Sequence, residues 1–240
     1  ETLLLGASTR VRSWNSAASS VITRSGSSLY SQDNAAVDGA LYVFGAYTNS
    51  GDEYWSYAND FDGTALTGLS QRQANVRFAS GASMTFSSGT FRILGTTTAS
   101  TTVANQGSGT YSLEVSGGTV NAQYYQFRNT DATGVNLSGA PTISSLSIGD
   151  FELGVPAGSM MSIASTVIDA NPALQIQRVR FATSTGVTSG SNVTETGTPS
   201  SYWWFRNHYG NYAGESYDTD PGGNPGYIRW DDSSLSVAIS

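Results

Sequence analysis

The stretch "VRFAS" at residues 76–80 recurs as "VRFAT" at residues 179–183, and "QFRNT" at residues 126–130 is a looser copy of both. The separations between these copies are multiples of about 25 residues, a spacing that fits a coil of three short strands. Such a coil is the unit of a parallel β-helix, in which each turn buries its inward residues on the turns above and below. The repeat therefore predicts a solenoid.

Between these copies, short apolar runs alternate with polar residues at a period of two. In "YSLEVS", for example, Tyr111, Leu113 and Val115 alternate with Ser112 and Glu114. This alternation is the signature of a half-buried strand, and turns rich in Gly, Ser, Asn and Asp separate the runs. A helical period is not evident anywhere, so we expect an all-β protein.

The fold that these patterns favour is a right-handed parallel β-helix with an irregular N-terminal part and an aromatic C-terminal cap. The alternative is a β-sandwich or jelly roll, which is also built from short strands. A sandwich usually carries Asn-Gly or Asp-Gly hairpin turns between its strands. Asp-Gly occurs here at residues 38–39 and 62–63, both before the rhythmic part of the chain.

The chain divides into three regions that we expect to form one continuous domain. Residues 1–73 are an irregular β region, residues 74–198 form the β-coil, and residues 199–240 are an aromatic capping or joining segment. The sequence begins without a Met and without a charged segment before its first apolar run, so the start is not a signal peptide. We therefore expect the chain to be a piece of a longer polypeptide.

Composition and charge narrow the classes of partner. Only 12% of the residues are charged and the net charge is −7, which repels nucleic acid and anionic membrane surfaces. There is no Cys, and all eleven basic residues are Arg, so thiolate and Lys chemistry are excluded. No apolar run approaches the roughly 20 residues that span a bilayer. This composition favours an extracellular or cell-surface protein.

Residues 201–232, "SYWWFRNHYGNYAGESYDTDPGGNPGYIRWDD", hold three of the five Trp and the only His. A single His208 and no Gly-x-Ser-x-Gly pattern argue against a catalytic triad and against a multi-His zinc site. The carboxylate pair of a glycoside hydrolase could come from Glu215 with Asp218, or from Asp231 with Asp232. With 18 acidic residues such pairs arise by chance, so we expect no enzyme, and a polysaccharide lyase or hydrolase stays an alternative.

Calcium is the metal that suits the oxygen-bearing side chains of this segment. An EF-hand is excluded because its fifth position would be Gly222 and its twelfth, where a Glu is needed, would be Arg229. A different calcium site remains a hypothesis, and no other cofactor is predicted. Its candidate ligands are Asp218, Asp220, Asn224, Asp231 and Asp232.

The aromatic residues of the segment have two interpretations. Trp and Tyr rings stack on sugars, which predicts a glycan-binding platform. The terminal coil of a solenoid also needs an atypical cap, which we favour for most of these side chains. The candidate glycan-binding residues are Trp203, Trp204, Tyr209, Tyr212, Tyr217 and Trp230, with Tyr227 beside them.

Residues 202–234, "YWWFRNHYGNYAGESYDTDPGGNPGYIRWDDSS", resemble a module of very large bacterial surface and secreted proteins. In those proteins the module follows Ser/Thr/Gly-rich coils of β-helix type, which the 130 or so preceding residues resemble in style. The resemblance implies an exported, non-enzymatic role in a surface structure or fibre, and it carries over no catalytic residue.

Together these observations predict an extracellular structural protein, a subunit of a filament, tube or surface matrix, or the stalk of an adhesin. Copies would associate with each other through unpaired strand ends. The alternative is a glycan-binding module with a polysaccharide partner. Asn136 and Asn192 begin Asn-x-Ser/Thr sequences, which matter only in a host that glycosylates.

Overall fold

The computed structural model describes residues 75–98 and 100–231, together with six strands within residues 2–55. The strands are β1 (Thr2–Leu5), β2 (Ser20–Thr23), β3 (Ser28–Ser31), β4 (Ala40–Val43), β5 (Ala46–Asn49), β6 (Asp52–Trp55), β7 (Asn75–Phe78), β8 (Ser83–Phe86), β9 (Thr90–Leu94), β10 (Thr101–Asn105), β11 (Tyr111–Val115), β12 (Thr119–Arg128), β13 (Thr130–Leu137), β14 (Thr142–Leu153), β15 (Gly158–Ala164), β16 (Gln175–Gln177), β17 (Arg180–Thr183), β18 (Gly190–Thr196), β19 (Trp203–Arg206) and β20 (Ile228–Asp231). The described helices are α1 (Ser165–Ala170) and one 3-10 turn (Glu215–Tyr217).

Every strand pair in the described part of the chain is parallel. The chain is thus a parallel β-solenoid of about six turns. The predicted β-helix is confirmed, whereas a sandwich would need the antiparallel pairs that hairpins make.

The strands form three faces. The first face stacks β1, β3, β6, β9 and the first halves of β12 and β14, and the sheet β16-β19-β20 follows it. The second face stacks β4, β7, β10, the second halves of β12 and β14, and β17. The third face is the seven-stranded sheet β2-β5-β8-β11-β13-β15-β18.

The repeated stretches all lie on the second face, in β7, β12 and β17. The copies are not aligned residue for residue in the sheet. When the strand pairing is followed from one coil to the next, Val76 comes into line with Phe127 and then with Phe181. The "VRF" copies therefore lie two residues out of register with each other. A displacement of two residues keeps every side chain on its own side of the sheet, so the core is preserved.

Large aromatic rings fill the interior of the second face. Phe127 stacks on Phe151 at 5.4 Å between ring centroids, and Phe151 stacks on Phe181 at 5.6 Å. All three side chains are buried. Each ring covers the apolar surface of the ring below it, so the same burial that stabilises one coil fixes the next coil above it.

Single residues of positive φ turn the chain from the first face to the second. They are Tyr124, Ile148, Arg178 and Asn207, with φ between 52° and 57°. The register of the flanking strands places Tyr124 beside Ile148, and Arg178 beside Asn207. This left-handed conformation is uncommon outside Gly, and here the paired strands on both sides impose it.

Two predicted segments differ in the structure. The sequence showed no helical period, but Ser165–Ala170 form the short helix α1, which buries Val167 and Ile168. In the region predicted to be irregular, β4, β5 and β6 pair in parallel with β7, β8 and β9. With β1, β2 and β3 paired below them, all six described strands of residues 2–55 belong to the stacked faces.

Candidate functional site

Residues 201–231, which we call the aromatic coil, add one further turn to the solenoid. Its strand β19 pairs with β16 below it and with β20 above it. The coil rests on the second face at Tyr209, which bridges to Arg180, and on the third face at Thr219, which bridges to Thr194. The predicted aromatic segment is thus built on the same three faces as the coils below it.

Two of the three Trp of the aromatic coil point inward. Trp203 is fully buried, and its Nε1 donates a hydrogen bond to the Asn171 carbonyl at 2.9 Å. Trp230 is 8% exposed and stacks on Phe205 with 4.7 Å between the ring centroids. Trp203 and Trp230 were predicted as glycan-binding residues, but their rings pack into the core and present no open face to a ligand.

The outward side of β19 and β20 carries a different set of side chains. Trp204 and Tyr202 are partly exposed, with their rings edge to face at 6.3 Å. The Arg206 guanidinium lies 4.7 Å from the centre of the Trp204 ring, and the Arg229 guanidinium lies 3.7 Å from that of Tyr202. We call these four residues the Arg-aromatic surface. Alternation along "WWFR" puts Trp204 and Arg206 outside.

The remaining predicted glycan residues are not part of that surface. Tyr209 is 54% exposed on the second face. Tyr212 and Tyr217 stack on each other at 4.2 Å, and Tyr217 is exposed, while Tyr227 packs against the core. The predicted set is therefore spread over several sides of the solenoid, and only Trp204 belongs to the Arg-aromatic surface.

The predicted calcium ligands have different surroundings. Asp220 accepts hydrogen bonds from Gly222 N–H at 2.6 Å and from Ile228 N–H at 2.8 Å, so it shapes the loop that leads into β20. Asp231 pairs with Arg206 at 2.7 Å. The Asp218 carboxylate accepts from Trp230 Nε1 at 2.7 Å.

Asn224 is exposed and precedes a cis peptide bond to Pro225, and Asp232 lies outside the described residues. Within residues 75–98 and 100–231, no three His, Asp or Glu side chains come together as a metal site would require. Calcium binding by a mixed set of oxygen ligands stays a prediction.

Two carboxyl groups near the third face have raised pKa values. Burial raises the pKa of Asp218 to about 7, the hydrogen bond from Trp230 opposes that rise, and the charges of Glu215 and Asp220 add to it. Burial likewise raises the pKa of Glu195 to about 7, with further contributions from Asp220 and Asp169. Both groups are therefore partly protonated at neutral pH.

Glu195 was missed by the sequence reasoning. It is 3% exposed, and neither of its carboxylate oxygens accepts a hydrogen bond from the residues that the structure describes. The signal was present in "NVTET", whose alternation places Glu195 on the same side of β18 as Val193. The signal is easily overlooked, because a Glu near the end of a strand is usually exposed.

His208 is partly buried in the aromatic coil, where its ring meets that of Trp230 edge to face at 5.0 Å. Asn192 is fully buried, and its Nδ2 donates to the carbonyls of Tyr212 and Gly214. A glycan on Asn192 would displace both hydrogen bonds. Asn192 thus holds the loop of the aromatic coil in place.

The second face carries a separate group of charges on its outer side. Arg128 pairs with Asp150 at 2.8 Å and with Glu152 at 2.5 Å, and Arg180 pairs with Asp150 at 3.0 Å. These ion pairs link three successive coils.

The class that the fold defines is a parallel β-solenoid with an aromatic coil at one end of the described chain. No helix in the described ranges has the length and apolar character needed to cross a membrane. Comparison with protein-family models, curated proteins and solved structures finds no match to this chain.

Proposed function

We propose that the chain is an extracellular structural protein, a subunit of a filament, tube or surface matrix, or the stalk of an adhesin, that associates with copies of itself through its strand ends. A solenoid supports this role because each coil binds only its neighbours, so that a further copy can continue the stack. Ser and Thr hydroxyls along the outer side, such as Ser159 with Thr194 and Ser191 with Thr219, tie successive coils together.

The observation that carries the proposal is the outer edge of β20. The Trp203 N–H donates to the Tyr227 carbonyl, and Trp203 is aligned with Ile228. Because successive N–H groups of a strand point to opposite sides, this pairing directs the N–H groups of Ile228 and Trp230 away from β19. Asp220 accepts the Ile228 N–H. In the described part of the chain β20 pairs only with β19, so the Trp230 N–H is directed at the position that a strand of another copy would take.

Association through this edge has a defined geometry that electron microscopy can detect. We expect particles that lengthen along the solenoid axis at constant width as the protein concentration rises, with a matching increase in sedimentation coefficient. Monodisperse monomers at high concentration, with and without calcium, would contradict the proposal.

The Asp220 carboxylate allows the β20 edge to be tested by substitution, because it accepts a hydrogen bond from one of the two outward N–H groups of β20, that of Ile228. We expect Asp220→Ala to free the Ile228 N–H and to shift association to lower protein concentration. Asp169→Ala is the matched control, because the Asp169 carboxylate accepts its hydrogen bonds from the N–H and hydroxyl of Ser200 and not from an N–H of β20. Equal association of both variants and the parent chain would show that the β20 edge is not the contact.

A second candidate function is glycan binding, which the exposure of Trp204 beside Tyr202 favours. Flat rings on the side of a solenoid match the apolar faces of sugars. We expect Trp204→Ala to abolish retardation of the chain in gels that contain the recognised polysaccharide, while Tyr209→Ala, on another face, leaves it intact. Retardation by no polysaccharide at all would remove this candidate.

A further inference from the structure

Among the described residues, the Arg-aromatic surface has a local excess of positive charge on an acidic chain. The chain carries a net charge of −7, yet Arg206 and Arg229 lie together on the outer side of β19 and β20, where Asp231 pairs with Arg206. Arg178 lies at the adjacent corner, where its N–H donates to the Arg206 carbonyl and its side chain is exposed. The charge of this surface is therefore complementary to an anion.

Arg229 is the residue of this surface that is held ready for a ligand. Its Nε donates to the Gly226 carbonyl at 3.1 Å, which fixes the plane of the guanidinium. The Tyr202 ring supports one side of it at 3.7 Å, and the Trp204 ring lies 5.9 Å away. Among the described residues no carboxylate lies within ion-pair distance of Arg229.

A guanidinium held in this way favours oxyanions that present two oxygen atoms side by side. The two Nη groups of Arg form parallel hydrogen bonds to a carboxylate or to two oxygens of a sulfate, and a pre-oriented side chain loses less entropy when it binds. The Nε bond to Gly226 leaves both Nη groups available. Arg206 differs because Asp231 already occupies part of its guanidinium.

The neighbouring side chains suit a sugar. Gln175 and Gln177 are exposed and are aligned with Trp204 and Arg206 on the adjacent strand. Their amides can donate to and accept from hydroxyl groups, while the Trp204 ring offers an apolar face. An anion recognised by Arg229 would then belong to a ligand that also carries hydroxyls and a flat apolar side.

We propose that the Arg-aromatic surface binds an acidic polysaccharide, with Arg229 recognising its carboxylate or sulfate group and Trp204 contacting the sugar ring. This inference rests on the glycan-binding candidate and adds the charge class of the ligand and the residue that selects it. Carboxylated and sulfated chains share the oxyanion that Arg229 would bind, and the experiment distinguishes these two sources.

The test measures binding of the full chain to three probes by isothermal titration calorimetry: polygalacturonate, whose anionic groups are carboxylates, dextran sulfate, whose anionic groups are sulfates, and neutral dextran. We expect polygalacturonate or dextran sulfate to bind, dextran not to bind, and Arg229→Gln to weaken binding about tenfold, as loss of a charged hydrogen-bonded pair does. Trp204→Ala should also weaken binding. Arg128→Gln, which removes an Arg of the second face, should leave it unchanged.

The outcomes separate this inference from the glycan-binding candidate itself. Binding of dextran that matches polygalacturonate and is unaffected by Arg229→Gln would overturn the inference and leave glycan binding intact. Binding of no probe would overturn the inference, and the glycan-binding candidate would fall with it only if no polysaccharide retards the chain in gels. Equal losses in Arg229→Gln and Arg128→Gln would indicate diffuse charge attraction and would also overturn the inference.

Far-UV circular dichroism and the urea midpoint establish that each variant is folded. Arg229→Lys should restore binding only in part, because Lys lacks the planar fork of the guanidinium. If Arg229→Gln instead disperses oligomers of the chain, the surface is a contact between copies and the inference is wrong.

Discussion

Glu195 occupies an interior position that apolar side chains hold in the coils below. On the third face, the aligned residues of successive coils are Phe86, Val115, Leu137, Ile163 and then Glu195. Its carboxyl group is buried there without a hydrogen bond from the described residues. We therefore expect this group to make the stability of the solenoid depend on pH, and Glu195→Gln to reduce that dependence.

The direction and size of the effect follow from the raised pKa of Glu195. Below pH 4.5 the carboxyl is protonated in both the folded and the unfolded chain, so it adds no penalty. As the pH rises from 4.5 to about 7, the folded chain keeps a proton that the unfolded chain releases, and the free energy of unfolding falls. Above that window the ionised carboxylate costs about 3 kcal/mol of stability. Asp218, whose pKa is also raised to about 7, acts in the same direction.

The assay is urea unfolding of the parent chain and of Glu195→Gln at pH 5 and at pH 8, followed by tryptophan fluorescence. We expect the parent chain to lose stability between the two pH values, and Glu195→Gln to lose less by about 2 kcal/mol. Ile163→Val is the matched control in the same interior column: it should lower stability by about 1 kcal/mol at both pH values and keep the pH dependence of the parent chain.

Identical pH dependence in the parent chain and in Glu195→Gln would refute the reasoning, because the group would then carry no differential proton binding. A parent chain that is more stable at pH 8 than at pH 5 would also contradict it. Adding Asp218→Asn to Glu195→Gln should flatten the remaining dependence further.

Three further substitutions test the packing of the coils. A Cβ on Gly149 would overlap the buried Tyr125 ring, so Gly149→Ala should destabilise the chain by about 2 kcal/mol, and a double-mutant cycle with Tyr125→Leu should show coupling of about 1 kcal/mol in urea unfolding. Asn171→Ala removes the acceptor of Ile143 N–H and the donor to two carbonyls, so thermal and urea unfolding should show a loss of about 3 kcal/mol; a loss below that of a surface Asn would contradict the role. Asp150→Asn breaks two partly exposed ion pairs and should cost about 1 kcal/mol at low salt, with the difference disappearing in 1 M salt.

Some features of the solenoid followed from local pattern. The repeat of "VRFAS" as "VRFAT" and the period of two in runs such as that of β11 were sufficient to predict stacked strands. What the pattern did not give was the register, because copies displaced by two residues bury the same side of the strand. That Val76 is aligned with Phe181 becomes known only when the pairing of all the strands between them is known.

The aromatic coil illustrates the same limit at the candidate site. In "YWWFR" both alternating sets contain a Trp, so composition does not decide which set faces the core. The coils below decide it: Trp203 fits where its Nε1 reaches the Asn171 carbonyl, and Trp204 is left outside with Arg206. Tyr209, Tyr212 and Tyr217 are close to Trp204 in sequence, but the turns of the coil carry them to other sides.

By itself, the sequence determined that this chain is an all-β protein of stacked short strands, since alternation and repeat length are properties of neighbouring residues. It also determined the absence of Cys and Lys chemistry. The tertiary structure alone decided that Glu195 is buried, that non-Gly residues such as Ile148 turn the corners, and that Arg229 is held beside Tyr202 and Trp204. The reason is physical: burial, strained corners and preoriented side chains are set by the coils above and below, which lie some 25 residues away along the chain.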